Sequence, residues 1–232
     1  MEKLVVQPLF YIFFIYGSSF LLMFHMIARG ARRATSAPLI SAFSVLALFG
    51  LTHGITEMID WVRFMIKTLG KPEVTVLTYL SQGFLIISFF FLLQFGVNLL
   101  SLEYRQKSFV RVLPAVLLGV FIGTALALGI TDVTKIGLLS RYSFGFGGSL
   151  LSAAALFHLA VTLKPLENQK LLKGLKVAGF GFACYAVFGG LIINPIGVLP
   201  VQLFRAACAV TIAIYTFSFL DIYKYVMQKK GA

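Results

Sequence analysis

Charge is the scarcest feature of this 232-residue sequence: acids and bases together make up 12% of it, and only eight residues are Asp or Glu. A soluble domain devotes about 25% of its residues to charge. With about half that share and a hydrophobic fraction of 59%, the chain has too little polar surface to face water all round. The shortage excludes a soluble globular enzyme and a disordered chain. Cysteine is nearly absent. Cys184 and Cys208 fall inside apolar runs with no Cys or His at ligand spacing, which argues against a disulfide framework or a thiolate metal site. Also missing are a Gly-rich phosphate loop, a Ser/His/Asp arrangement and zincin spacing, so no enzyme is expected. The last apolar run has no lysine at its middle, and its one charge before Asp221 is Arg205, which excludes a retinal Schiff base there.

What is present is apolar length. A membrane-crossing helix needs about 20 mostly apolar residues. Seven runs qualify: Leu9–Ala28, Pro38–Met58, Val74–Leu100, Val112–Ile130, Ser143–Leu163, Val177–Ile193 and Val201–Leu220. Only helices satisfy so much backbone in lipid, and the ten-residue alternation of a membrane β-barrel is absent. The fold class expected is an all-α integral membrane protein, a single heptahelical domain over 1–232. The first run is too long and ends too basic for a cleaved signal peptide.

The net charge of +12 follows the connections between these runs. Thirteen basic residues lie on one side: Arg29, Arg32 and Arg33; Arg105, Lys107 and Arg111; Lys164, Lys170, Lys173 and Lys176; Lys224, Lys229 and Lys230. The other side holds Lys3, Arg63, Lys67, Lys71, Lys135 and Arg141. The bias of basic residues toward the cytoplasm then places the N-terminus outside and the C-terminus inside. Topology explains the basic excess, and no nucleic-acid partner is expected. Residues 60–69 carry Trp61, Phe64 and Met65 on one helical face and Arg63 and Lys67 on another, the pattern of a short helix lying in the outer interface. Asn194, Pro195, Gly197 and Pro200 mark a turn-rich cap before the last span. The two halves show no repeat, which weakens a transporter reading.

Polar side chains at membrane depth are costly and mark paired or functional positions. His53, Glu57 and Asp60 recur at i, i+4 and i+7 on the second span, in its outer third. Gln202 and Arg205 stand near the outer start of the last span, and Arg141 opens the fifth at the same level. His53, Glu57, Arg141, Gln202 and Arg205 are therefore the candidate ligand-binding set; the alternatives are a helix-locking ion-pair network near the interface and simple headgroup exposure, and if the three helices converge, Glu57 or Asp60 can pair with Arg141 or Arg205. Toward the inner side, His25 and His158 share a level about 22–24 Å deep at the helical rise of about 1.5 Å per residue. They would suit the two axial ligands of a haem if the first and fifth spans were neighbours. Gln94 and Asn98 share a face of the third span. Gly50 and Gly54, and Gly145, Ser149 and Ser152, form small-residue stripes that permit close helix approach.

Three stretches carry a family resemblance: Phe49-Gly50-Leu51-Thr52-His53-Gly54-Ile55-Thr56-Glu57-Met58, Arg141-Tyr142-Ser143-Phe144-Gly145-Phe146-Gly147-Gly148-Ser149-Leu150-Leu151-Ser152-Ala153, and Leu199-Pro200-Val201-Gln202-Leu203-Phe204-Arg205-Ala206. In order and position they resemble the N-terminal multi-span sensory regions of bacterial membrane histidine kinases and diguanylate cyclases. The resemblance implies seven helices, N-terminus out and C-terminus in, in a bacterial cytoplasmic membrane. It carries over no ligand. Gly147 stands where that family has proline. The resemblance also implies cytoplasmic signalling domains beyond the last helix, whereas the sequence ends about a dozen residues after Leu220. The chain is then a free-standing version or part of a longer sensor, and a free-standing version would signal through a partner. The expected function is a membrane signal-input module binding a small ligand or lipid in the outer polar pocket. Its expected surroundings are the bilayer, a cytoplasmic partner or a second copy. The alternatives are a haem-binding electron-transfer subunit, with the cofactor otherwise unknown, and an anchor subunit of a membrane complex.

Overall fold

A computed structural model describes residues 2–31, 37–102, 108–196 and 199–231, with side chains described over 8–30, 39–102, 112–196 and 199–218. Gly197 of the expected cap, the basic residues Arg32, Arg33, Arg105 and Lys107, and the side chains of Lys3, Arg111, Lys224, Lys229 and Lys230 lie outside what is described. Of the described residues 88% are helical, and no strand occurs among them. The helices are α1 (Glu2–Ala31), α2 (Ala37–Thr68), α3 (Thr75–Leu100), α4 (Ser108–Ala127), α5 (Val133–Ser140), α6 (Phe146–Thr162), α7 (Gln169–Tyr185) and α8 (Val201–Gly231). Two π turns interrupt the regular winding. Arg141–Gly145 joins α5 to α6 in one rod, and Ala186–Leu191 extends α7.

Six helical segments are long and apolar enough to cross a membrane: Pro8–Gly30, Leu39–Thr68, Thr75–Leu100, Val133–Thr162, Gln169–Leu191 and Val201–Ser218. The expected fourth span differs. Its helix, α4, ends at Ala127 rather than Ile130, because Gly129 adopts a left-handed backbone at φ 63° and closes α4 early. There the Gly129 amide bonds the Leu126 carbonyl and the Ile130 amide bonds the Ala125 carbonyl, which satisfies the last carbonyls of the helix. The expected fifth span also differs, starting at Val133, where Asp132 accepts a 2.8 Å bond from the Thr134 amide as N-cap.

Residues 60–68 do not form a separate interfacial helix. They continue α2, which at 32 residues is about 48 Å long against a hydrocarbon thickness of about 30 Å. No Gly or Pro separates Met58 from Asp60 to stop the winding. The helix ends only at Gly70, φ 68°, with the Lys71 amide bonded to the Ile66 carbonyl. The polar end of α2 therefore projects beyond the apolar part of the bundle.

The long helices close a ring in the order α1, α2, α3, α6, α7, α8 and back to α1, while α4 packs on the outside of α3. Small residues set the closest crossings. A Cβ on Gly50 would lie 2.9 Å from the Phe20 carbonyl oxygen of α1, and one on Gly148 would lie 2.9 Å from the Leu93 amide nitrogen of α3. Ser152 adds a hydrogen bond to the Leu92 carbonyl at 3.2 Å. Backbones in contact leave no gap for lipid, and dispersion between them holds such pairs together. The core inside the ring is aromatic, with Tyr16, Phe20, Phe49, Phe89 and Tyr185 all fully buried.

Candidate functional site

His53 sits at the middle of that aromatic core with no exposed surface. Its ring stacks on Phe49 at 5.2 Å and meets Phe20 edge-on at 4.8 Å. The Ser88 hydroxyl donates to the Leu85 carbonyl at 2.7 Å, so its oxygen is left to accept from His53 Nδ1 at 2.9 Å. That places the imidazole proton on Nδ1 and makes Nε2 the acceptor. The Tyr185 hydroxyl donates to Nε2 at 2.6 Å, and the Tyr16 hydroxyl donates to the Tyr185 oxygen at 2.7 Å. One buried network thus joins α1, α2, α3 and α7.

Glu57 stands one turn along α2 from His53. Its Oε1 lies 3.5 Å from His53 Nε2, yet it is buried with no hydrogen-bond donor. Glu57 is also among the residues lining a cavity of about 490 Å³ at the bundle end that carries the α2–α3 connection. Arg141, Gln202 and Arg205 line the same cavity from the first π turn and from α8. Asp60, Arg63 and Glu73 line its rim. Five basic and three acidic side chains border the space, so its charge is net positive.

The two deep arginines hold the end of α7. A π turn followed by a helix end leaves carbonyls without backbone partners. Arg205 donates from Nε to the Phe188 carbonyl at 2.7 Å and from Nη2 to the Ile192 carbonyl at 2.9 Å. Arg141 donates from Nη1 to the Gly189 carbonyl at 3.3 Å. Its guanidinium carbon also stands 5.9 Å from the centroid of the Phe89 ring, over its face. Positive charge is favourable there, where the helix dipole ends negative.

The expected acid–arginine pairing is not what forms. Asp60 pairs with Arg63 at 2.8 Å and accepts from the Ser81 hydroxyl at 2.7 Å. Arg63 reaches on to Glu73, which also accepts from Thr78. The reason is local: Asp60 and Arg63 are neighbours at i, i+3 on one helix face, so their pairing needs no second helix. Among the described residues, no carboxylate comes within 4.0 Å of Arg141 or Arg205. The Arg63 hydrogen bond holds the Glu73 carboxyl below its ordinary range, with the Thr78 hydroxyl adding to the effect.

Of the five residues expected at a ligand site, Glu57, Arg141, Gln202 and Arg205 border one cavity, while His53 lies behind Glu57 in the core. His25 is exposed on α1 and His158 half-buried on α6. The main neighbours of α1 are α2 and α8, and those of α6 are α3 and α7, so the ring does not bring the two histidines face to face. Gln94 donates to Asn98 at 2.8 Å along α3. The sequence reading missed Tyr16, Tyr185 and Ser88. Their hydroxyls sit in apolar runs among nine tyrosines and 24 phenylalanines, and nothing local separates a core tyrosine from an interfacial one. No family model, curated protein or solved structure matches the chain, so the site is read from its own geometry.

Proposed function

We propose that this chain is a sensory or signal-input module of a bacterial cytoplasmic membrane, with seven helices in the bilayer, its N-terminus outside and its C-terminus in the cytoplasm. The apolar part of α4, Val112–Ala127, is the seventh of these, a short span at the edge of the bundle. Basic residues concentrated in the α1–α2, α3–α4 and α6–α7 connections support the orientation. The observation that carries the functional reading is the polar cavity, lined by Glu57, whose buried Oε1 has no donor, and by Arg141 and Arg205, which no carboxylate among the described residues neutralises. Polar groups left so at the end of an apolar bundle are costly unless something binds them.

The relay follows from what the lining residues also hold. A ligand that engages the remaining nitrogens of Arg205 or Arg141 pulls on the same guanidinium groups that hold the carbonyls of Phe188, Gly189 and Ile192. Loosening those bonds frees α8 to shift against α7, and α8 runs on through Asp221–Lys224 to Gly231. A ligand contact at Glu57 acts on the adjoining His53 network, which ties α2 to α1, α3 and α7. Binding then shifts the balance between two packings of the bundle, and a cytoplasmic partner reads the end of α8.

The test uses spin labels at Lys170→Cys and Lys224→Cys, with Cys184 and Cys208 replaced by alanine. Distances between the labels are measured by pulsed electron resonance in nanodiscs. Glu57→Gln and Gln202→Trp, which respectively neutralise and fill the cavity, are expected to change the distance distribution. Distributions identical to that of the parent in both variants would defeat the sensory reading.

A further inference from the structure

We propose that the cavity binds a small zwitterion with an apolar substituent: a carboxylate or phosphate on one side, an ammonium group a few bonds away, and a hydrocarbon portion. This deepens the sensory reading and rests on it for its biological consequence, though its chemistry stands on the lining residues alone.

Three observations set the ligand's parts. Glu57 is 2% exposed, it is among the residues that line the cavity, and its buried Oε1 has no donor. A buried carboxyl in that state calls for an N–H, and best for a charged one. Across the same space stand Arg141 and Arg205, with no carboxylate within 4.0 Å. Their carbonyl bonds use Nη1 of Arg141 and Nε and Nη2 of Arg205, which leaves guanidinium nitrogens for an incoming anion. A planar guanidinium matches a carboxylate or phosphate edge. Of the rim cations, Arg63 is already engaged with Asp60 and Glu73.

The third part is size. About 490 Å³ falls within the range of about 300–1,000 Å³ typical of small-molecule sites. Two charged groups alone would leave most of it empty. Phe13, Phe64 and Ile66 form an apolar wall suited to a hydrocarbon group. An anion without the ammonium would leave Glu57 Oε1 without a donor, and an amine without the anion would leave two guanidinium groups unneutralised. An α-amino acid with a large apolar side chain has this chemistry, and so does the headgroup of a phosphatidylethanolamine with the start of its chains.

The experiment separates the two sources. Full-length protein, delipidated in detergent, is titrated with L-leucine, L-phenylalanine and O-phosphoethanolamine, reading thermal stability and heat of binding. Isovalerate and 3-phenylpropionate lack the ammonium, and isoamylamine lacks the anion. In parallel, protein from nanodiscs of phosphatidylethanolamine or phosphatidylglycerol is released into native mass spectrometry. Stabilisation by a free amino acid, with the one-charge analogues weaker by about tenfold or more, assigns a soluble ligand. Retention of phosphatidylethanolamine over phosphatidylglycerol assigns the lipid source. In either case Glu57→Gln should remove the preference for the ammonium, and Gln202→Trp, which fills the space without removing a charge, should abolish binding. The proposal is overturned if no free zwitterion stabilises the protein and no phosphatidylethanolamine is preferred. It is equally overturned if the acids lacking an ammonium bind as well as the amino acids. Failure here with altered label distances in Glu57→Gln leaves a sensor for another ligand. Zwitterion binding with unaltered distances leaves a binding protein that does not signal in this way.

Discussion

Replacing Tyr185 by phenylalanine tests whether the buried network holds the ring together. The ring position and its packing stay, and only the hydroxyl goes. That hydroxyl makes a 2.6 Å bond to His53 Nε2 and a 2.7 Å bond with Tyr16. A buried hydrogen bond contributes about 1 kcal/mol net, and those between membrane helices average about 0.6 and reach about 1.7. Two such bonds put the loss at about 1–3 kcal/mol. Tyr16→Phe removes the same 2.7 Å bond and a longer 3.2 Å approach to His53, so about 1 kcal/mol is expected. Because the Tyr16–Tyr185 bond is counted in both losses, the double variant should cost less than the sum by about 0.5–1 kcal/mol. Unfolding free energies of the full chain in mixed micelles measure all four corners of the cycle. Strictly additive losses, or a Tyr185→Phe cost below about 0.3 kcal/mol, would refute the network as a joint between helices.

Arg205→Ala strips two carbonyls at the end of α7 of charged donors and should cost about 3–5 kcal/mol, with Arg205→Lys intermediate because an ammonium reaches only one carbonyl well. Equal losses for both variants in the same unfolding assay would contradict the clamp. The Glu73 carboxyl, held below its ordinary range by Arg63, supports the loop only while ionised. That support is present above the ordinary carboxylate value and fades as pH falls through the lowered one, so wild type and Glu73→Gln should differ at neutral pH and converge in acid. Parallel pH profiles of loop proteolysis in the two proteins would count against it. For orientation, a membrane-impermeant maleimide should label Lys71→Cys in intact cells and Lys170→Cys only after permeabilisation, and the reverse pattern would invert the topology.

Much of this architecture was readable in the apolar runs, because length and composition alone decide whether a helix suits a bilayer. The runs were less informative about ends. The polar turn of α2 read as a new element because its charges change the pattern, yet the backbone feels Gly and Pro rather than charge and winds on to Gly70. At the site, depth arithmetic brought Glu57, Arg141, Gln202 and Arg205 to one level, since rise per residue fixes height. It could not supply azimuth. Asp60 turned to Arg63 on its own helix, and the neighbours of each helix decided that the arginines take carbonyls freed by a π turn and that His53 faces two tyrosines. A π turn leaves no trace in hydropathy, so the carbonyls that occupy both arginines were invisible beforehand.

The Tyr16–Tyr185 bond spans 169 residues of chain. During synthesis α1 is made long before α7. His53 can meet Ser88 as soon as the third helix arrives, only 35 residues later, and that early pair shelters one ring nitrogen from lipid. The other nitrogen and the Tyr16 hydroxyl must wait for Tyr185. The nascent bundle is therefore an open crescent with a polar inner lip. Its last joint, between Tyr16 and Tyr185, cannot be made before α7 is in place, so a chain cut short before Tyr185 should keep that lip unsatisfied.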